Sequence, residues 1–153
     1  MSKGITDIPE LDMSQSFMMG LAYKQFRTLA NQQLAAEFDI TLEMLGALRV
    51  LAHLGEVPQQ TLCDRLHRER SVIKRLVDNC IKRELIVAHK SEQNKKARYL
   101  SLTDKGREVE TSAQKSVALV VDDFYAPLSG DERELLLSLC KRLIKEDVLL
   151  GAD

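Results

Sequence analysis

The sequence predicts a mainly α-helical chain with one small β-hairpin, an α+β fold that forms a single working unit. Apolar residues recur at three- and four-residue spacing through most of the 153 residues, which is the period of amphipathic helices. One region has two short β-type runs separated by polar residues, which is typical of a hairpin. The chain is 44% hydrophobic with only three prolines and seven glycines, so it can build a core and has few helix breakers.

The N-terminal region is expected to form one long helix, from about residue 12 to residue 38. Its only breaker is Gly20, and its apolar side chains cover well over half of the helical circumference. These side chains are Met18, Leu21, Ala22, Tyr23, Phe26, Leu29, Ala30 and Leu34. A helix this apolar must be covered on two sides.

Two shorter helices follow the long one. The stretch "ITLEMLGALRVLAHLG" opens with Thr41, a good N-cap residue, and closes at Gly55. The stretch "QQTLCDRL" is predicted to form a third helix with Leu62, Cys63 and Leu66 facing inward. The residues "HRE" then form a tight turn into a fourth helix.

The fourth helix, in "RERSVIKRLVDNCIKRELI", divides cleanly into two faces on a helical wheel. One half is apolar and comprises Val72, Ile73, Leu76, Val77 and Cys80. The other half is polar and mostly basic, and comprises Arg68, Arg70, Ser71, Lys74, Arg75, Asp78 and Lys82. Two helices joined by a tight turn, the second with a basic outer face, predict a helix-turn-helix whose second helix enters the major groove of DNA.

The predicted hairpin comes directly after this helix. Its strands are "LIVAHK" and "RYLSL", at residues 85–90 and 98–102, and the polar "SEQNKKA" separates them. A hairpin in this position is a wing, and Lys95 and Lys96 at its tip would reach phosphates or an adjacent minor groove. The alternative is an ordinary exposed β-turn.

The C-terminal region is expected to form two more helices. Thr103 is a good N-cap for a helix that runs to about residue 125, and Pro127 breaks it. Ser129 and Glu132 have capping-box spacing at the start of the last helix. One face of that helix is apolar and carries Leu135, Leu136, Leu139, Cys140, Leu143 and Ile144. The terminal helices therefore offer apolar stripes to another surface.

Charge is distributed unevenly along the chain. The formal net charge is -1, yet residues 65–98 contain eleven Lys and Arg against four Asp and Glu, a net charge of +7. The remainder contains eleven cations and nineteen acids and is therefore at -8. A basic segment inside an acidic chain is typical of a nucleic-acid reader whose other parts have a different task. A solvated basic surface is the alternative.

The order of these elements, with "LCDRLHRERSVIKRLVDNCIKRELIVAHK" followed by "NKKARYLSLTDKGREV", resembles the MarR family of winged helix-turn-helix transcriptional regulators over nearly the whole chain. Leu102, Thr103 and Gly106 match the family's exit from the wing. The family's Asp-Arg-Arg triplet is replaced by Asn94, Lys95 and Lys96, which implies a blunter preference for the minor groove because Lys lacks the planar fork of Arg. Glu84 stands where relatives commonly have Gly. Because Glu tolerates a left-handed conformation less readily than Gly, we expect the turn after the fourth helix to differ from theirs.

The resemblance implies a homodimer that presents two fourth helices to successive major grooves of a pseudo-palindromic operator in double-stranded DNA. Residues 10–38 and 104–150 would form the helical dimerisation region, and residues 39–103 the winged helix-turn-helix. Phosphate contacts are expected from Arg68, Arg70 and Lys82, and base contacts from Ser71, Lys74 and Arg75. Lys95, Lys96 and Arg98 complete the expected DNA-binding set.

The resemblance also implies a repressor that releases DNA when a small phenolic or anionic compound binds between the dimerisation helices and the winged region. The expected lining residues are Tyr23, Phe26, Arg27, Arg49 and His53, although Tyr23 and Phe26 suit a plain core better and His53 suits a structural role better. A cysteine-based redox switch is an alternative. Cys63 is its candidate, because Arg65 lies nearby while Cys80 and Cys140 lie on apolar faces.

Other classes of function are disfavoured. The chain has no glycine-rich phosphate loop and no His-Glu-x-x-His pair, and its three histidines are scattered, so we expect neither an enzyme nor a cofactor nor a metal site. Acidic residues near the N-terminus and the lack of a long apolar run predict a cytoplasmic protein without a membrane span. A helical module that binds only protein would need an acidic partner for the +7 segment.

Overall fold

The computed structural model describes residues 4–91, 93 and 96–146. The elements are, in chain order, α1 (Pro9–Asp12), α2 (Gln15–Phe38), α3 (Leu42–Leu54), β1 (Val57–Pro58), α4 (Gln59–Leu66), α5 (Arg70–Lys82), β2 (Ile86–Lys90), β3 (Arg98–Leu102), α6 (Asp104–Phe124) and α7 (Gly130–Leu143). The mainly α fold with a small β wing is confirmed.

The N-terminal region contains a break that the sequence pattern did not predict. A short helix, α1, ends at Asp12, and α2 starts again at Gln15. Ser14 causes the restart, because its side chain accepts a hydrogen bond from the backbone nitrogen of Phe17 and so caps the new helix. The single long helix expected from residue 12 is therefore wrong at its first turn.

One apolar core joins the winged region to α6. Helix α3 lies at its centre with five residues buried, Met44, Leu45, Ala47, Leu48 and Leu51. Helices α4 and α5, strands β2 and β3, and α6 all contribute buried side chains to the same cluster. The predicted caps Thr41 and Gly55 do bound α3, since the Thr41 side chain accepts from the Met44 nitrogen and Gly55 has a φ of 79°. The core therefore packs the winged region against α6.

The sheet has three antiparallel strands in the order β1, β3, β2, one more than the predicted hairpin. β2 and β3 pair from Ile86 with Leu102 to Lys90 with Arg98, as expected of a wing. β1 adds Val57 opposite Leu100. Leu100 is completely buried, so this third strand ties the segment between α3 and α4 to the base of the wing.

The turn after α5 keeps a left-handed residue even though it is not glycine. Glu84 has a φ of 60°, so the expectation that Glu would alter this turn is wrong. Two hydrogen bonds hold it there: the Leu85 nitrogen donates to the Cys80 carbonyl at 2.9 Å, and Thr103 Oγ1 donates to the Glu84 carbonyl at 2.6 Å. The surrounding structure imposes a backbone conformation that Glu alone disfavours.

The last helix depends little on the rest of its own chain. The predicted capping box is present, since Ser129 and Glu132 exchange side-chain and backbone hydrogen bonds. No residue of α7 is buried. The predicted apolar face is open over much of its length, with Leu135, Leu136, Leu139, Leu143 and Ile144 all exposed. Helix α7 therefore presents an uncovered apolar surface.

Candidate nucleic-acid interface

Helix α5 separates buried and exposed residues as its sequence predicts. Ile73, Leu76, Val77 and Cys80 are buried in the core. The opposite face is exposed and carries Arg70, Ser71, Lys74, Arg75 and Lys82. Because side chains three and four residues apart share a helix face, these groups form one continuous polar surface.

The turn between α4 and α5 fixes the angle at which that surface is presented. His67 ends α4 in a left-handed conformation, with a φ of 52°. The Arg68 backbone nitrogen then donates to the Cys63 carbonyl at 3.1 Å. This arrangement satisfies a carbonyl at the end of α4 and redirects the chain into α5, which produces a helix-turn-helix.

Arg68, which was expected to contact a DNA phosphate, lies in this turn and makes an ion pair. Its Nη1 donates to Glu43 Oε1 at 2.8 Å, and Arg27 Nη2 lies 3.8 Å from the same oxygen. Glu43 thus links α2, α3 and the turn before α5. Glu43 was not among the expected site residues, since no local pattern pairs residues 25 positions apart.

A second ion-pair cluster joins α5 to the wing. Asp78 Oδ2 accepts from Lys74 Nζ at 3.2 Å, and Asp78 Oδ1 accepts from Arg98 Nη1 at 3.3 Å. Arg98 Nη1 also donates to Gln59 Oε1, at the start of α4, at 3.1 Å. The Lys74 hydrogen bond, aided by Arg98, holds the pKa of Asp78 below its usual value. The i, i+4 spacing of Lys74 and Asp78 was a usable signal, whereas the contact with Arg98 was not.

Four of the expected DNA-binding residues on α5 are exposed, and their side chains have no polar partner among the described residues. Within the described ranges, no hydrogen bond or ion pair engages the side chains of Arg70, Ser71, Arg75 or Lys82. A cleft of about 580 Å³ opens between α5, the start of α4 and the base of the wing, and Arg70, Ser71, Lys74 and Arg98 line it. The cleft is therefore concave and cationic.

The wing tip is only partly described. Lys95 and Asn94 lie outside the described residues. Lys96 is exposed and lines the cationic cleft together with Arg98. The described part of the wing therefore adds a cation next to the exposed face of α5.

The five residues expected to line an effector site are not brought together. Tyr23 and Phe26 line an apolar cavity of about 670 Å³ between α2, the end of α6 and α7. Arg27 is paired with Glu43 instead, and Arg49 and His53 are exposed on α3 without a partner among the described side chains. The alternative roles expected for Tyr23 and His53 are not seen either. Tyr23 is 60% exposed and so is not a core residue. No contact among the described residues gives His53 a structural role.

The cysteines differ in environment. Cys80 is completely buried, and burial raises the pKa of its thiol to about 12, so it carries almost no thiolate near neutral pH. Cys63 is 7% exposed and lines the cationic cleft. Cys140 is partly exposed beside the apolar cavity. Cys63 thus remains the thiol nearest to the expected DNA surface.

Two kinds of feature are absent from the described residues. None of their helices combines the length and the apolar character needed to cross a membrane. Nor do three or more of their His, Cys, Asp and Glu side chains converge as they would around a metal ion.

Comparison with known proteins gives relatives of one kind. No protein-family model matches the chain. A putative transcriptional regulatory protein for the hcr operon of Thauera aromatica is 29% identical over 127 residues, which cover 82% of this chain and 74% of that protein. A probable transcriptional regulator from Pseudomonas aeruginosa has a crystal structure that superimposes with a TM-score of 0.82, at 26% identity, over 88% of this chain and 99% of that one.

Two further solved structures have the same fold. A mutant of MarR from E. coli complexed with operator DNA has a TM-score of 0.79 at 17% identity, and covers 85% of this chain and 93% of its own. PcaV from Streptomyces coelicolor, in complex with its natural ligand, has a TM-score of 0.80 at 23% identity, and covers 94% and 96%. In motifs, fold and sequence the chain is thus similar to winged helix-turn-helix transcriptional regulators of the MarR type.

Proposed function

We propose that the protein is a homodimeric repressor that binds a pseudo-palindromic operator in double-stranded DNA and releases it when a small molecule binds. The observation that carries the DNA-binding part is the exposed polar face of α5, with Arg70, Ser71, Arg75 and Lys82 uncommitted beside the wing. The MarR relative solved with operator DNA supports the same role.

Different side chains of this surface would contact the bases and the phosphates of DNA. Arg75 and Ser71 project from the exposed face of α5, where a helix in the major groove meets base edges, and Lys74 lies one turn from Asp78 on the same face. Arg70 and Lys82 lie near the two ends of α5, where backbone phosphates pass. Arg68, the wing lysines Lys95 and Lys96, and Arg98 complete the proposed contact set.

The proposed dimer would cover apolar surface that one chain leaves open. No residue of α7 is buried, and Met19, Tyr23 and Leu119 on α2 and α6 are also exposed. Contiguous exposed apolar surface of this kind marks an association site. Sedimentation at micromolar concentration should give the mass of two chains, and a monomer mass would contradict the dimer.

The proposed effector is phenolic or anionic. The cavity lined by Tyr23 and Phe26 supports a phenolic compound, since Phe26 and Phe124 place their ring centroids 5.5 Å apart at its wall and its volume suits a small ligand. The relative PcaV was solved with a natural ligand. A phenol that raises the dissociation constant for operator DNA, and less so after Phe26→Ala, would support this site; equal responses of both proteins would contradict it.

The operator can be found directly. The purified protein is mixed with genomic fragments, retained DNA is sequenced, and the enriched site is titrated at several salt concentrations. The expected result is an inverted repeat whose half-site centres are about 10 base pairs, or a multiple of this, apart. The logarithm of the affinity should fall linearly with the logarithm of salt. No enriched site, or an affinity that ignores salt, would refute the proposal.

A further inference from the structure

Asp78 places a negative charge on a surface that is otherwise positive and is proposed to bind DNA. It is the one acidic residue of α5, and it lies on the exposed face with Lys74 and Arg75. A carboxylate there repels phosphates and lowers the positive potential of the surface. Its presence therefore weakens attraction to DNA of any sequence.

The same carboxylate orders two cations from different elements. Its two oxygens accept from Lys74 of α5 at 3.2 Å and from Arg98 of β3 at 3.3 Å, and Arg98 reaches on to Gln59 of α4 at 3.1 Å. The side chains of Asp78 and Arg98 are about equally exposed, at 39% and 38%. One guanidinium thus connects the wing strand to both helices of the helix-turn-helix.

Fixed orientation matters because base readout depends on geometry. A free Lys or Arg can swing to a phosphate, which holds the protein on DNA but carries no sequence information. A held side chain can only meet the DNA edge that lies opposite it, so a wrong base leaves it unpaired. The Asp78 cluster therefore weakens attraction to phosphates and at the same time fixes the orientation of Lys74 and Arg98.

We propose that Asp78 is a positioning residue that sets the sequence specificity of DNA binding, by holding Lys74 and Arg98 in one arrangement and by weakening non-specific attraction to phosphates. This inference rests on the proposed DNA-binding role of α5. It assigns Asp78 no contact with DNA of its own.

The test is the variant Asp78→Asn, which keeps the size of the side chain and removes the charge. Its affinity for random duplex DNA should rise by about two- to tenfold at low salt, and its salt dependence should steepen by about one to two units per subunit as Lys74 and Arg98 reach phosphates. The ratio of operator to random affinity should fall about tenfold. A variant that merely unfolds would lose both affinities, so a rise in random affinity is diagnostic.

Asp64→Asn is the matched control. Asp64 lies exposed on α4 in the same winged region, and its carboxylate accepts from Gln60 and pairs with no cation among the described residues. It makes the same change in net charge, so it should raise random affinity slightly and keep the operator ratio. Asp78→Glu, which retains the charge, should recover most of the ratio.

A double-mutant cycle with Arg98→Gln identifies the partner. If Asp78 acts through Arg98, the loss of specificity in the double variant should be smaller than the sum of the two single losses. Additive losses, or an operator ratio in Asp78→Asn equal to that of the parent, would overturn the inference alone. If the parent protein bound no duplex DNA, or bound it with an affinity that did not depend on salt, the proposed function would be overturned as well.

Discussion

Gly106 is a position at which an added side chain would meet backbone of another segment, and Gly106→Ala tests this close approach directly. Gly106 lies in the first turn of α6, where its nitrogen donates to Thr103 Oγ1 at 2.9 Å. A Cβ on Gly106 would overlap the backbone carbonyl oxygen of Leu85 and lie 3.3 Å from Leu102 Cδ2. That same carbonyl accepts from the Thr103 nitrogen at 3.1 Å, so moving it disturbs the cap of α6.

The expected loss of stability follows from these contacts. Weakening the Thr103 cap and one buried backbone hydrogen bond costs about 1 kcal/mol each. Forcing backbone apart in a packed region adds about 1 to 3 kcal/mol. Ala favours a helix over Gly by about 1 kcal/mol, which offsets part of this. The free energy of unfolding of Gly106→Ala should therefore fall by about 2 to 4 kcal/mol.

Gly20→Ala is the control, measured by urea unfolding at the same protein concentration as the parent because association contributes to stability. Gly20 also lies inside a helix, but a Cβ there would meet nothing within 4 Å. Its free energy of unfolding should rise by about 0.5 to 1 kcal/mol. If Gly106→Ala also gained stability, the close approach of α6 to the turn after α5 would be refuted.

Three further predictions concern the turn and the DNA surface. Glu84→Gly should raise the free energy of unfolding by about 0.5 to 1 kcal/mol, because Gly relieves a left-handed strain of about 1 to 2 kcal/mol at some entropic cost. Lys82→Gly, at the last residue of α5, should lower it, and an equal loss in both variants would contradict the strain. Arg75→Ala should weaken operator binding by about 1 to 3 kcal/mol relative to random DNA; an unchanged ratio in a titration would remove Arg75 from base readout. Replacing Lys95 and Lys96 by Ala should flatten the salt dependence by about one to two units per subunit; equal slopes would refute their phosphate contacts.

The elements that local chemistry controls were predictable residue by residue. Thr41, Thr103 and Ser129 cap the helices that they were expected to cap. The apolar half of α5 is buried except for the partly exposed Val72, and Ile73 is completely buried. Caps, turns and helical periodicity act over three or four residues, so a single sequence shows them. The exception is the start of α2, where Ser14 caps a new helix at a point that the apolar pattern placed inside a continuous one.

The candidate site was predictable only in part. The exposed cations of α5 follow from helical spacing, but whether each one is free or paired does not. The pairing of Arg68 with Glu43 joins residues 25 positions apart, and that of Arg98 with Asp78 joins residues 20 positions apart. The effector residues were grouped by their place along two helices, but Tyr23 lines the apolar cavity while Arg49 is exposed on α3 away from that lining.

The sequence by itself therefore determined the helices, the hairpin, the charge asymmetry and the basic face of α5, since each depends on neighbours along the chain. Only the tertiary structure decided that β1 joins the wing, that Glu84 adopts a left-handed turn, and that Asp78 ties α5 to β3. These features depend on segments that meet only after folding. Packing can then impose a strand partner, a strained φ or an ion pair on residues whose own preferences do not specify it.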